Sequence, residues 1–404
     1  MDNASHVSHA KVISMGWFSS MPEVLTDEQA ISDLLTRWVE NVIPRELALK
    51  KLRSGAPLRI YWGIDPTGAK LHLGHSAPLR KLKAFADLGH RVIFLVGSFT
   101  AMIGDPSGRD AAREPLTLEQ VRENFKDYKR QAQKVLDFSK VEVRYNDKWL
   151  STLTFEKILK LASTFTVGQM LTRDMFQKRI QENKPIALHE FLYPLMVGYD
   201  SVVLDVDAEL GGSDQEFNML AGRDLQKALG KRDKFVLTTK LIEGTDGRKM
   251  SKTYNNAVYL EDTPSDMYGK LMSIKDELVK TYFEVLTDVP MGDIERIVSG
   301  HPREAKARLA QEIVRTYHGA GAARKAADGF MKPDDAPLLN FPSQAQVRNL
   351  AAELNISMSE LRRLVDAGAI EEVGGGKVTS IDAPLKNATY KVGKHRFFKV
   401  NSGQ

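Results

Sequence analysis

The pattern of apolar and polar positions near the start of the chain alternates between strand-like runs and helical spacing. Residues 58–64 and 91–97 are short runs rich in β-branched and aromatic residues, as in the buried strands of a parallel sheet. Between them, Leu79, Leu82 and Phe85 recur at the spacing of one helix face. These elements predict a βαβ unit, and therefore an α/β domain.

The alternation continues to about residue 262 and then gives way to helical spacing. The pattern predicts a helix over 119–136, a strand over 141–145, a turn over 146–149, a mostly helical stretch over 154–191 and a strand over 201–210. Ser213 with Glu216 forms a capping box, which predicts a helix that runs to Gly230. From Pro264 onward the apolar residues fall on helix faces, which predicts a helical part of the chain.

The C-terminal part of the chain is set apart by prolines and by its charge. Residues 330–342 carry three prolines and predict a linker. Beyond it, the pattern predicts helices over 345–354 and 357–368, short strands around 374–376, and a closing strand over 390–400 with alternating basic and aromatic residues. No acidic residue follows Asp382. This terminal surface suits a polyphosphate partner, although a merely solvated tail fits the same pattern.

Composition excludes several classes of protein. The 404 residues are 42% hydrophobic and 27% charged, which allows a sizeable core in two or three domains. The absence of cysteine excludes disulfides and cysteine-based zinc sites or nucleophiles. The sequence contains neither a run of about 18 apolar residues nor a secretory signal, so we expect a cytoplasmic protein without a membrane span. Residues 1–24 are predicted to form a disordered extension.

Two histidines follow the first predicted strand. Asp65 begins an Asp-Pro-Thr-Gly turn, and His72 and His75 lie where the next helix begins. Open α/β sheets bind ligands where their strands end, and the backbone N–H groups at a helix N-terminus favour an anion. The pattern indicates a phosphate site, although an ordinary βα turn with two exposed histidines fits equally well.

A polar loop near residue 250 decides between these two interpretations. Lys249 and Lys252 are three residues apart in the sequence Lys-Met-Ser-Lys, after a strand-like stretch at 235–239. A His-x-Gly-His turn near the start of an α/β domain, followed by such a loop near its end, resembles the class I aminoacyl-tRNA synthetases. The combination is more specific than either motif alone.

Three further stretches bring polar groups to the predicted edge of the sheet. The loop 100–109 follows a buried strand and contains glycines that allow a ligand to approach, although a simple turn capped by Asp105 is the alternative. Residues 190–200 are apolar on all sides, so Asp200 needs a partner unless it caps the following strand. The glycine pair at 211–212, directly before a predicted helix, leaves the backbone open to a ligand.

With these motifs in this order, the chain from about Asp27 to Val400 resembles the bacterial-type tyrosyl-tRNA synthetases. The matching motifs are Tyr-x-Gly-x-Asp-Pro-Thr from Tyr61, His72-x-x-His75, Gly-Asp-Pro-Ser-Gly at 104–108, Tyr193 with Asp200, Gly-Gly-Ser-Asp-Gln at 211–215 and Lys-Met-Ser-Lys at 249–252. The resemblance implies an α/β catalytic domain with a Rossmann-like parallel sheet and a helical insertion, followed by a small α-helical domain and an α+β S4-like RNA-binding domain.

The resemblance also implies domain boundaries. These are 1–24 for the extension, 25–245 for the catalytic domain with its insertion at about 112–195, 246–262 for the lysine loop and connector, 263–330 for a helical domain of the anticodon-binding type, 331–342 for the linker and 343–404 for the S4-like domain. A homodimer is implied as well, with the insertion at its interface.

Roles for individual residues follow from the same resemblance. Tyr61 and Asp200 are implied to hold the phenolic hydroxyl of tyrosine, and Asp105 and Tyr193 its α-amino group. The implied catalytic residues are His72, His75, Lys249 and Lys252, which also bind ATP. Gln215 is implied beside the substrate carboxylate, Thr100 and Asn146 at the pocket wall, Gly63, Asp65, Gly212, Asp214 and Ser251 on the ATP side, and Lys391, Lys394 and Arg396 as RNA contacts.

The implied activity is that of a tyrosine–tRNA ligase. L-Tyrosine reacts with ATP to give tyrosyl-adenylate and pyrophosphate, and the tyrosyl group then passes to the 3′ end of tRNA(Tyr). Mg²⁺ would be carried with ATP, because the sequence shows no carboxylate cluster of the kind that binds a metal. One position departs from the family pattern: Val197 stands where a glutamine usually helps to bind the α-amino group.

Two other functions stay open on the sequence alone. A synthetase-derived RNA-binding protein with an inactive site would need the basic tail, but not the intact pairs of histidines and lysines. An enzyme that activates a tyrosine analogue has Val197 as its support. Tyrosine-dependent exchange of pyrophosphate into ATP tests the first alternative, and a panel of amino acids in the same assay tests the second.

Overall fold

The computed structural model describes residues 24–68, 70–106, 116–251, 254–330, 336–354, 356–393 and 396–403. The predicted N-terminal extension therefore lies outside the described residues, except for Val24. Lys252 and Lys394 also lie outside them, as does the side chain of Arg396. No helix in the described ranges is long and apolar enough to cross a bilayer.

A six-stranded sheet forms the centre of the larger part of the molecule. Its strands are β1 (Val39–Ile43), β2 (Arg59–Ile64), β3 (Arg91–Val96), β4 (Val141–Tyr145), β5 (Ala208–Gly212) and β6 (Phe235–Thr239). They lie in the order β1-β6-β5-β2-β3-β4, and β2 to β6 pair in parallel while β1 is an antiparallel edge. The chain runs from β2 outward to β4 and then crosses to β5 on the other side of β2. Such a reversal creates a crevice at the carboxyl ends of the strands, where open α/β sheets bind ligands.

Helices cover both faces of this sheet and extend beyond it. Those up to β6 are α1 (Glu28–Thr36), α2 (Arg45–Leu52), α3 (Leu73–Asp87), α4 (Thr100–Ile103), α5 (Leu118–Ala132), α6 (Asp147–Leu150), α7 (Phe155–Ala162), α8 (Val167–Leu171), α9 (Asp174–Gln181), α10 (Leu188–Leu204) and α11 (Glu216–Ala228). After β6 come α12 (Pro264–Met272), α13 (Val279–Leu286), α14 (Met291–Val298), α15 (Pro302–His318) and α16 (Ala320–Asp328). These later helices share one continuous apolar core with the sheet.

The tail has a separate sheet and a separate core. It contains β7 (Leu338–Phe341), α17 (Leu350–Glu353), α18 (Met358–Asp366), β8 (Ile370–Glu372), β9 (Gly376–Lys377), β10 (Thr389–Val392) and β11 (Arg396–Ser402). The strand order is β7-β11-β10-β8-β9, over a core that includes Leu350, Leu361 and Tyr390. The predicted closing strand over 390–400 is therefore two antiparallel strands, because the chain turns at Gly393, whose φ is +66°. The predicted helix over 345–354 is only a 3₁₀ turn followed by α17.

The predicted strand over 201–210 is wrong in its first half. Helix α10 continues to Leu204, and the strand begins only at Ala208. Packing overrides the β-branched Val202 and Val203, because α10 lies closely against α11: a Cβ added at Gly198 would come within 3.1 Å of the backbone nitrogen of Gly222. Asp200 is therefore inside a helix, and the alternative that it caps a strand is also wrong.

Two other local predictions need correction. The capping box of Ser213 and Glu216 does not form, because Ser213–Gln215 is a 3₁₀ turn and neither helix N-terminus there has a side-chain cap. The predicted insertion at 112–195 contains β4, which pairs in parallel with β3 as an edge of the main sheet. The helices between β4 and β5, which are α6 to α10, have a small apolar core of their own that includes Leu161, Met170 and Tyr199.

Candidate active site

A cleft of about 350 Å³ opens where β2 and β5 end. Its wall contains most of the side chains that the sequence predicts for the site. These are Tyr61, Gly63, Asp65, His72, His75, Thr100, Asp105, Asn146, Tyr193, Asp200, Gly212, Asp214, Gln215 and Lys249. Ser251 does not line this cleft, and Lys391 lies on β10 of the tail sheet. Residues that are far apart in the sequence therefore meet at the predicted edge of the sheet.

The most buried part of the cleft holds Tyr61 and Asp200, which are 1% and 2% exposed. Asp200 accepts hydrogen bonds from Asn146 Nδ2 (3.1 Å) and Trp149 Nε1 (2.7 Å). Burial raises the pKa of the Asp200 carboxyl well above its usual range, and these two hydrogen bonds oppose that shift. Burial also raises the pKa of Tyr61, so this phenol keeps its proton. The pair offers one hydroxyl and one carboxyl group to a ligand in a buried part of the cleft.

Asp65 connects the first strand of the site to helices α4 and α10. Its two carboxylate oxygens accept hydrogen bonds from Thr100 Oγ1 (2.7 Å) and from the hydroxyl of Tyr193 (2.9 Å). Gly97 is required beneath it, because a Cβ there would lie 1.8 Å from Asp65 Oδ1. Asp65 thus orients Thr100 and Tyr193, in addition to the place on the ATP side that the resemblance implies.

A second chain of hydrogen bonds lies near the N-terminal end of α11. Gln215 Nε2 donates to Asp105 Oδ2 (2.9 Å), and Asn218 Nδ2 donates to Gln215 Oε1 (2.8 Å). A carboxylate can only accept, so Asp105 fixes the orientation of both amides. The Asp105 carboxylate and the Tyr193 hydroxyl lie in the same cleft, and both oxygens can accept hydrogen bonds from a cationic group.

The two histidines stand at the start of α3, and their rings stack with centroids 3.8 Å apart. The backbone N–H of His72 donates to His75 Nδ1 (3.2 Å), and the N–H of Leu73 donates to the carbonyl of Val258 (2.9 Å). The segment after the lysine loop is thereby attached to the histidine turn. Lys249 Nζ lies 3.1 Å from Asp214 Oδ2, and it is close enough to His72 to lower the pKa of that imidazole.

Both imidazoles are neutral at pH 7, and their lowered pKa values predict how the stability of the protein depends on pH. Burial, and after it Lys249, lowers the pKa of His72 to about 4, and burial lowers that of His75 well below its usual range. Unfolded histidine titrates at about 6.5, so the folded state resists protonation. We expect the free energy of unfolding to fall as the pH drops from about 6.5 towards 4. A histidine resonance that shifts near pH 4 in NMR spectra, and is missing in His72→Gln, would confirm this; titration near 6.5 would contradict it.

Sequence reasoning missed several residues that contact the site. Trp149 binds Asp200 directly, and Ser201, Glu209 and Lys234 form a buried polar cluster beside Tyr61. A usable signal was present, since Glu209 interrupts an apolar strand and Lys234 directly precedes another. In the part of the chain that the structure describes, no group of three or more histidine and acidic side chains could hold a metal ion.

Comparison with known proteins agrees with this architecture. The model of the family described as tRNA synthetases class I (W and Y) matches residues 53–332. The tyrosine–tRNA ligase of Thermotoga maritima is 42% identical over 399 residues, covering 94% of this chain and 99% of the relative. The tyrosine–tRNA ligase 2 of Vibrio vulnificus is 43% identical over 390 residues, covering 92% and 98%.

Among solved structures, the chain is similar to a C-terminally truncated mitochondrial tyrosyl-tRNA synthetase of Coccidioides posadasii, with a TM-score of 0.60 and 25% identity. The similarity covers 75% of this chain and 92% of that chain. The fold predicted from the motifs, an α/β domain with a Rossmann-like sheet, is confirmed by this likeness and by the strand order. The chain belongs to the class I tRNA synthetases, in the family of the bacterial tyrosyl-tRNA synthetases.

Proposed function

We propose that the protein is a cytosolic tyrosine–tRNA ligase. It activates L-tyrosine with ATP to tyrosyl-adenylate and pyrophosphate, and it transfers the tyrosyl group to the 3′ end of tRNA(Tyr). The observation that carries the proposal is the presence of Tyr61 and Asp200 in the same cleft as His72, His75 and Lys249. Pyrophosphate exchange into ATP that depends on tyrosine, compared among the wild type, Asp200→Ala and Lys252→Ala, tests it. Exchange without tyrosine dependence, or none at all, would contradict it.

The substrate tyrosine would lie with its ring in the apolar part of the cleft. Its phenolic hydroxyl donates to Asp200 and accepts from Tyr61, while its ammonium group lies near Asp105 and Tyr193. The wall at Thr100 and Asn146 is held by the Asn146 Nδ2 hydrogen bond to Thr100 Oγ1 (3.1 Å). With phenylalanine bound, the buried Asp200 carboxyl and Tyr61 hydroxyl would each lack the hydrogen bond that the substrate hydroxyl makes, and this cost gives selectivity for tyrosine.

The first reaction is attack of the tyrosine carboxylate on the α-phosphorus of ATP, which breaks the bond to pyrophosphate. A carboxylate is already ionised, so no protein base is needed. Catalysis would come from alignment of the reactants and from stabilisation of negative charge on the leaving group. Neutral His72 and His75 can donate hydrogen bonds, and Lys249 and Lys252 supply positive charge. Mg²⁺ would enter as part of the ATP substrate, with Gly63, Gly212, Asp214 and Ser251 on the nucleotide side.

Val197 is expected to weaken the binding of tyrosine. It lines the cleft one helical turn after Tyr193 and offers no hydrogen bond to an ammonium group. We expect Val197→Gln to add about 1 kcal/mol or more of binding, which lowers the KM for tyrosine about fivefold. Selectivity against phenylalanine should not change, because Tyr61 and Asp200 are untouched.

Val197→Met is the matched control, since it lengthens the side chain without adding an amide. The KM for tyrosine is measured in pyrophosphate exchange for both variants. An unchanged or higher KM in Val197→Gln would contradict the prediction. A tyrosine analogue that the wild type activates faster than tyrosine would favour the alternative substrate instead.

The tail is proposed to bind tRNA. Lys391 lies on β10 and Arg396 begins β11, while Lys394, which lies outside the described residues, falls between them in the sequence. All three are in the part of the sequence without acidic residues. Contacts to phosphates from such residues are independent of sequence and sensitive to salt.

A homodimer is proposed through the helices between β4 and β5. These helices carry large apolar side chains that are exposed in the single chain: Phe155 (74%), Val167 (71%) and Leu188 (79%). Exposed apolar residues of this size on neighbouring elements are typical of an interface. We expect sedimentation to show a dimer, and Leu188→Glu to weaken it. The control Leu338→Glu changes an exposed leucine of the tail and should leave the dimer intact; a monomeric wild type would contradict the proposal.

A further inference from the structure

Three buried polar side chains contact one another beside Tyr61. Ser201 and Lys234 are fully buried, and Glu209 is 4% exposed and lines the cleft. Lys234 and Glu209 form an ion pair, and Lys234 Nζ also donates to Ser201 Oγ (2.6 Å). Ser201 Oγ lies 3.1 Å from Glu209 Oε2 and 2.9 Å from the hydroxyl of Tyr61. The cluster therefore touches one member of the phenol-binding pair directly.

The missing side chain of Gly222 on α11 leaves space for this cluster. A Cβ added at Gly222 of α11 would lie 2.6 Å from both Lys234 Nζ and Ser201 Oγ. Three elements contribute one residue each: Ser201 comes from α10, Glu209 from β5, and Lys234 from the segment that enters β6. Ser201 directly follows Asp200, so the cluster adjoins the other member of the pair as well.

Lys234 is a fully buried cation among the carboxylates of this region. The titratable groups that interact with Asp200 and Lys234 across the packed elements are Tyr61, Asp65, Tyr193, Glu209 and Arg223. Asp200 and Glu209 are two buried carboxylates, and like charges oppose each other's ionisation. A fully buried ion pair is often no more stable than an apolar replacement, so stability alone gives no reason for this one.

We propose that Lys234 is a positioning residue for tyrosine recognition: its ammonium group balances Glu209, so that Asp200 can stay ionised and accept the phenolic hydrogen of the substrate. Lys234 acts through Asp200 and does not touch the substrate. The proposal rests on the proposed function, in which Asp200 binds the phenol.

The test compares pH profiles of kcat/KM for tyrosine in pyrophosphate exchange. In Lys234→Met, the unbalanced Glu209 makes Asp200 harder to ionise, so the acidic limb of the profile should move to higher pH. In Glu209→Gln, the unbalanced Lys234 makes Asp200 easier to ionise, so the limb should move to lower pH. The double variant should return towards the wild-type profile. Shifts of opposite sign are not produced by general damage to the fold, and either single variant is a test if the other does not fold.

Lys51→Met is the matched control. Like Lys234, Lys51 forms an ion pair, in this case with Asp207 at 2.6 Å, but neither Lys51 nor Asp207 lines the cleft. The acidic limb of the pH profile should therefore not move in this variant. Unmoved limbs in both cluster variants, or shifts of the same sign, would overturn the proposal while tyrosine activation persists. If the wild type does not activate tyrosine, or if Asp200→Ala leaves kcat/KM for tyrosine unchanged, the proposed function itself fails.

Discussion

Replacing Lys249 by alanine is expected to lower kcat for tyrosine-dependent pyrophosphate exchange by about 10²- to 10³-fold, the usual cost of removing one group that stabilises transition-state charge. Lys249 is 57% exposed and pairs with Asp214 across the mouth of the cleft, so its ammonium group can turn to a phosphate. The KM for tyrosine should stay the same, because the groups around the phenol and the ammonium are unaffected.

Arg248→Ala is the control for this variant. Arg248 is the neighbouring cation of the same loop, but its guanidinium pairs with Asp246 (2.6 Å) and stacks on Tyr254. Its removal should change kcat by less than about threefold, as is usual for an exposed ion pair. Equal losses in the two variants would mean that the loop responds to total charge and that Lys249 has no specific role.

Replacing Asp200 by alanine is expected to lower kcat/KM for tyrosine by about 10- to 150-fold, which corresponds to the loss of about 1.5–3 kcal/mol for a hydrogen bond to a charged group. Asn146 Nδ2 and Trp149 Nε1 would also lose their acceptor. The value of kcat/KM for phenylalanine should not fall, because that substrate has no hydroxyl to bind. The ratio of the two values is the measurement.

The same substitution on the neighbouring helix provides the control. Asp224 is exposed on α11 and does not line the cleft, so Asp224→Ala should leave the ratio for the two amino acids unchanged. If Asp200→Ala reduced activity with tyrosine and phenylalanine equally, Asp200 would support the fold of the site without recognising the phenol.

Much of the architecture could be predicted because, in the central strands and the turns after them, the local sequence pattern and the tertiary packing favour the same structure. The strands β2 and β3 are apolar on both faces, so their type and their bounds follow from composition alone. The turns after them contain residues with strong local preferences, such as the Asp-Pro-Thr-Gly segment from Asp65. Motifs at the ends of such strands converge by topology, so the site near His72 and the loop 100–109 could be predicted from the pattern, while the role of Thr100 came from the family resemblance.

The failures have a common physical cause in long-range packing. Val202 and Val203 favour a strand locally, but the close contact of Gly198 with Gly222 keeps them in α10. The hydrogen bonds of Asp200 to Trp149 and Asn146 could not be predicted, because both residues come from a segment that the pattern predicts as a turn; only the resemblance placed Asn146 at the pocket wall. The pairing of Lys234 with Glu209 joins the residue just before β6 to the neighbouring strand β5, and a single sequence does not give the register of those two strands.

Helix α10 carries both Tyr193 and Asp200, so a single element spans the two polar ends of the proposed tyrosine site. Seven residues at 1.5 Å per residue separate them by about 10 Å along the helix axis. In the proposed site, this distance sets the length of the substrate: we expect an amino acid with its hydroxyl at the meta position to be unable to bind at both ends at once. Selection by length would therefore add to selection by hydrogen bonding.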